Sequence, residues 1–203
     1  AVHKKGGLMY AQLWHTGALS HPEFFDGALP MSASDVNPEQ ESVTPSGRKP
    51  TVAPRPMSGD EIRQTVADFG TAAKNAMDAG FDGVQIQANY LYLIAQFLNS
   101  ATNHRKDEYG GSTVNRARLL FEVTETVLEY VEPGRVGIKV GPMNVSGPFV
   151  ANADTLPDME YVAKKLNDYD LAHLLVMGAT TDFTGGPLDG LAGDGMFQHF
   201  RPL

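Results

Sequence analysis

A chain of 203 residues, 42 % hydrophobic and 20 % charged, has the makeup of a globular domain long enough to bury a core. Its 16 Lys and Arg against 24 Asp and Glu leave a formal charge of −8, which argues against nucleic acid or a membrane surface as partner, and no apolar run is long enough to span a bilayer. The absence of cysteine excludes disulfides, thiolate metal sites, iron–sulfur clusters and cysteine nucleophiles.

The first residues, Ala1 to Leu8, carry lysines with no long apolar stretch behind them, so no signal peptide is expected and the expected location is the cytoplasm. Leu8 to Trp14 is a short apolar run between glycines and predicts a strand buried on both faces. Residues 18–57 are rich in Pro, Ser, Gly and Asn without a sustained period; they predict a long excursion within a single domain spanning 1–203, with room for a small hairpin. Ser58-Gly59-Asp60-Glu61 matches a capping box, and Ile62, Val66, Phe69, Ala73, Ala76 and Met77 then recur at helical spacing up to Gly80.

Phe81 to Ile86 reads as the next strand and Leu91–Leu98 as a short helix. A polar loop to Gly111 precedes a helix capped by Ser112, with Leu119, Leu120, Val123 and Val127 on its apolar face. Arg135–Val140 predicts a third strand, Pro157–Tyr169 a helix, and Leu171–Met177 a fourth strand. A Gly-rich tail follows, with room for a short helix near its end. Four strand–helix alternations predict βαβ units and a parallel sheet. His15, His21, His104, His173 and His199 show no metal-binding spacing, and no metal is expected. Asp35, Asp154 and Asp158 read as solvated loop residues.

Several segments resemble the Old Yellow Enzyme family of flavin-dependent ene-reductases. They are Gln12-Leu13-Trp14-His15-Thr16-Gly17, Ala79 to Val84, Tyr92-Leu93-Ile94 with Gln96-Phe97-Leu98, and Asn103 to Ser112 continuing through Asn115-Arg116-Ala117-Arg118. The resemblance implies a (β/α) barrel, here α/β and partial, with about four βα units matching the family's third to sixth strands. It implies an FMN held above the strand ends and reduced by NADPH or NADH. Gln12 matches a flavin-contacting glutamine and Tyr92 a proton-donating tyrosine. The family's carbonyl-gripping pair falls on Gln87 and Tyr90, its intervening glycine on Leu91, a flavin-contacting arginine on Lys139, and another arginine on Ala18.

A full barrel of this type needs about 250 residues, and its phosphate site commonly lies in the last two loops; no Gly-rich phosphate loop in strand-to-helix context is visible here. These departures lead to the expectation of a cofactor-free, non-redox enzyme: an isomerase, epimerase or cyclase moving a proton beside the carbonyl of a small-molecule, natural-product-like substrate. Gln87 and Lys139 would hold the carbonyl oxygen while Tyr92 or Tyr90 returns the proton, with Gln12, Trp14 and His15 binding substrate. The alternatives are an FMN-dependent NAD(P)H ene-reductase, in which Gln12 and Lys139 would contact FMN, and a non-catalytic binding subunit. Open sheet edges imply a homodimer.

Overall fold

The computed structural model describes residues 1–89, 91–141, 147–178 and 185–203. Its central sheet holds β1 (Tyr10–Leu13), β6 (Gly83–Gln87), β7 (Val136–Val140) and β8 (His173–Val176), all parallel and in that spatial order. Between β1 and β6 come the short strands β2 (Met31–Ser32), β3 (Glu41–Thr44), β4 (Gly47–Pro50) and β5 (Arg55–Pro56), then helix α1 (Gly59–Asp78). Helices α2 (Leu93–Leu98) and α3 (Thr113–Leu128) lead from β6 to β7, α4 (Thr155–Leu166) leads from β7 to β8, and α5 (Gly195–Phe200) lies in the tail. The arrangement is an α/β partial barrel of parallel strands, as the sequence predicts.

Local chemistry sets the element bounds. The Ser58 hydroxyl accepts from the Glu61 N–H while the Glu61 carboxylate accepts from the Ser58 N–H, closing the predicted capping box on α1. Past its C-terminus, Gly80 takes φ +86°, a left-handed turn that favours glycine. Ser112 caps α3 through the Asn115 N–H, and Leu119, Leu120, Val123 and Val127 are all buried. The helix predicted to reach Tyr169 ends as α-helix at Leu166 and finishes in a 3-10 turn.

The core lies where α1, α3 and α4 cover one face of the sheet. Leu13, Val84, Ile86, Val136, Ile138, Val140 and Val176 point into it and meet Ile62, Phe69, Ala73, Leu120, Val123, Val127 and Val162. Alternation sends the intervening side chains to the other face. That corrects the reading of the first strand as buried on both faces: Gln12 and Trp14 are exposed, because that face of β1 carries no helix. Asp158 is a second correction. It is buried in α4, where Arg116 binds it through Nη2 at 2.7 and 2.5 Å and the Thr113 hydroxyl donates at 2.6 Å.

The excursion is ordered around two small strand pairs. β3 and β4 form the antiparallel hairpin that its length leaves room for, and β2 pairs in parallel with β5 at the stem. Arg105 locks that stem: one guanidinium nitrogen donates to the Met57 carbonyl at 2.7 Å and the Ala33 carbonyl at 3.3 Å, while Asp107 holds the other side. Among the described residues no helix is long and apolar enough to cross a membrane.

Candidate active site

The C-terminal ends of parallel strands collect the polar residues singled out by the sequence. Register places them in rows across the face away from the helices. In the lower row the Gln12 amide donates to Gln85 Oε1 at 2.7 Å, and the Gln85 amide lies 3.0 Å from the His173 imidazole. Gly137, between them in register, keeps the row continuous, since a side chain there would collide with the His173 ring. In the next row Gln87 is the register partner of Lys139, which is in turn the partner of Leu175. Gln87 is buried and Lys139 half-buried, and Lys139 makes no ion pair among the described residues.

Beyond β1 the chain turns so that the Trp14 indole meets the Tyr92 ring edge-on, with centroids 4.8 Å apart. These two rings and Thr16 line a cavity of about 380 Å³ whose other walls come from the excursion: Leu19, Ser20, Phe24, Gln40 and residues 41–43 of the hairpin. Gln96 braces this corner from beneath. Fully buried on α2, its amide donates to the carbonyls of Thr16 and Leu91, and its oxygen accepts from the Ala18 N–H and the Ser32 hydroxyl. Gly17, at φ +58°, leaves the room that this amide fills.

His15 faces elsewhere. Its Nδ1 accepts from the Gly17 N–H at 3.0 Å, and burial pushes the imidazole pKa down against the opposing pull of the Asp68 carboxylate. It lines a second cavity of about 320 Å³ between β1 and α1 together with Gln12 and Trp14, the other two predicted substrate-binding residues, and with Thr65, Asp68 and Phe69.

The structure therefore brings Trp14 and Tyr92 together, sets Gln87 beside Lys139 one strand over, and places Gln12 in the row below. It does not bring His15 to the Tyr92 cavity. Tyr90 lies outside the described residues. Sequence reasoning missed His173, Gln85 and the hairpin wall. Period-2 alternation along β6 and β8 could have found the first two, whereas the wall comes from contacts across more than twenty residues of irregular chain.

Known proteins match this arrangement. The sequence model of the NADH:flavin oxidoreductase / NADH oxidase family matches residues 1–184. A flavin oxidoreductase of Emericella nidulans is 42 % identical over 144 residues, 71 % of this chain and 37 % of its own length. A putative 12-oxophytodienoate reductase-like protein of Arabidopsis thaliana is 38 % identical over 179 residues, 85 % of this chain and 52 % of its own. The chain thus spans about half the length of the curated relatives it matches. Among solved structures, an Old Yellow Enzyme homologue from Zymomonas mobilis superposes with TM-score 0.85 at 36 % identity, covering 98 % of this chain and 55 % of that one. Morphinone reductase gives 0.84 at 35 %, covering 98 % and 54 %, and one of its variants is solved with tetrahydroNAD bound.

These matches overturn the expectation of a chain that works without a cofactor. The relatives are flavin oxidoreductases, and their chemistry points to FMN with NADH or NADPH. That expectation rests on substituted side chains and the lack of a visible phosphate loop, against which stand Gln12, Trp14 and Tyr92, the residues that match the family motif. On sequence and on structure alike, the chain belongs to the NADH:flavin oxidoreductase / NADH oxidase family.

Proposed function

We propose that this chain supplies the substrate side of an FMN-dependent NAD(P)H oxidoreductase that reduces activated carbon–carbon double bonds of small molecules. The observation that carries the proposal is the Trp14–Tyr92 pair on a cavity of about 380 Å³ at the C-terminal ends of the strands. A phenol on the wall of a pocket is placed to give a proton to a substrate carbon, and the Trp14 indole, Leu19 and Phe24 give that pocket its apolar side, opposite the polar hairpin residues.

The donor set fits the ring end of a flavin. Lys139 offers a half-buried ammonium without an ion-pair partner among the described residues, and Gln12 and Gln87 offer uncharged amides on the same face. A cation suits the electron-rich edge of a reduced ring, and amides suit its mixed carbonyl and N–H edge. When bound, the reduced flavin supplies the hydride. This chain's residues orient the alkene, polarise its carbonyl through Lys139 and Gln87, and protonate the neighbouring carbon through Tyr92.

An absorption spectrum after FMN loading and gel filtration tests the reading. A band near 450 nm that co-elutes with protein, together with NADPH oxidation dependent on an added enone, is the expected result. Deuterium uptake from solvent into a ketone without NADPH consumption would instead assign proton transfer alone. The proposal includes a second copy of the chain: β1 and β8 run the same way and have no outer neighbour among the described residues, so two copies related by an axis along the strands pair β1 with the partner's β8 twice. Light scattering that gives a monomer mass overturns that part.

A further inference from the structure

Two amide oxygens buried at the end of β6, Gln87 Oε1 and Asn89 Oδ1, have no hydrogen-bond partner among the described residues. Gln87 is 5 % exposed and Asn89 1 %. Two residues apart in extended chain, their side chains leave the same face of the strand, Asn89 one step nearer the mouth. Asn89 is held from two sides. Its Nδ2 donates to Met177 Sδ at 2.9 Å, and its oxygen occupies space that exists only because residue 141 is glycine, where a Cβ would come within 2.6 Å of Oδ1.

The side chain therefore reaches across the end of β7 toward the end of β8. Turning the amide over would set oxygen against sulfur, two acceptors facing each other, and bury the N–H instead. A buried carbonyl oxygen without a donor is unfavourable, and native structures keep such atoms where a ligand or water completes them.

We propose that Asn89, with Gln87, forms a paired acceptor for an N–H or O–H carried by the substrate, and that the site therefore favours alkenes activated by an imide or primary carboxamide over those with a carbonyl alone. Lys139, the register partner of Gln87, sits beside the pair with a cation for the carbonyl oxygen. The three groups together complement a carbonyl flanked by a donor, which a simple enone lacks. The proposal deepens the reductase reading, on which it rests for the bond that reacts but not for binding.

Trp14 is the only tryptophan and lines the mouth, so its emission reads binding without turnover. N-methylation of maleimide removes the donor and puts a methyl in its place, so the Asn89→Ala variant separates the lost donor from the added bulk, and the chain has no cysteine for either imide to alkylate. Maleimide is expected to bind about tenfold tighter (about 1.4 kcal/mol), and Asn89→Ala to bring the ratio near one while leaving cyclohexenone affinity unchanged. Equal affinity of the two imides for the wild-type chain overturns the proposal, and this comparison decides even where the variant does not fold. A preference kept in a folded Asn89→Ala overturns it too. A tenfold preference in a chain that binds no flavin sinks the reductase reading and keeps this one; flavin binding without the preference does the reverse.

Discussion

The Trp14 and Tyr92 rings meet at 75°, edge against face, at the point where β1 and α2 reach the same cavity. Such a contact contributes about 0.5–1.5 kcal/mol beyond area burial, and it holds the phenol without using its hydroxyl. Tyr92→Phe therefore keeps the ring pair and removes the hydroxyl. Alkene reduction is expected to fall by about a hundredfold, while reduction of bound flavin by NADPH in stopped flow stays at the wild-type rate. Equal losses in both half-reactions would show that Tyr92 shapes the site and does not donate.

Arg116 and Asp158 join α3 to α4 with both charges buried. The Arg116 Nε also donates to the Leu98 carbonyl at 3.0 Å, so the guanidinium ties α2 into the same knot. Removing one partner leaves the other charge unpaired in the interior. Asp158→Ala is expected to lower stability by about 3–5 kcal/mol in urea denaturation, and a paired Arg116→Met, Asp158→Leu variant to recover most of that.

Two glycines on the sheet differ in what crowds them. A Cβ at Gly83 would strike the backbone carbonyl of Arg135 and the Tyr10 ring, whereas one at Gly137 would strike only the His173 side chain. A side chain can rotate away and a strand backbone cannot. Gly83→Ala should therefore destabilise by about 3 kcal/mol and Gly137→Ala by about 1 kcal/mol, read as shifts in denaturation midpoint; the reverse order would count against the register described for β6 and β7.

Acid should loosen the excursion first. Hydrogen bonds from Lys49, Ser46 and Thr44 hold the Glu23 carboxyl down to about 2, and Arg55 with the Ser58 N–H does the same for Glu61. Both groups bind protons more readily in the unfolded chain, so their stabilisation is complete above about pH 4.5 and is lost as pH falls toward 2. Protection of residues 41–50 against hydrogen exchange is expected to fall in that window, and Glu23→Gln, which cannot titrate, to lower it already at pH 5–7 and to shrink the acid-induced change. Protection that is flat from pH 5 to 2 would contradict the assignment.

The elements were legible wherever a local signal decided them: the Ser58 and Ser112 caps, the Gly80 stop, and the 3.6-residue period of α1 and α3. Burial was harder to read, because it depends on what covers a face. Gln12 and Trp14 sit in an apolar run yet face outward, and Asp158 looks like a solvated acid yet meets Arg116 from 42 residues away. Of the residues that the motif singles out, Gln12, Gln87 and Lys139 share one face of the sheet, and Trp14 and Tyr92 meet ring to ring. Asn89 escaped notice because it stands between two positions that the motif singles out, and nothing in the local sequence reveals the Gly141 space or the Met177 sulfur that receive it.

The Arg105 clip across Ala33 and Met57, with the β2–β5 pair beside it, makes the stem of the excursion a socket. Everything between these anchors hangs from fixed ends, and the hairpin it carries forms one wall of the Tyr92 cavity. Such an insert can change length and side chains with little effect on the sheet or on α1, since loop closure costs grow only slowly with length. Substrate range can then drift through this one cassette while the scaffold beneath it stays under separate selection.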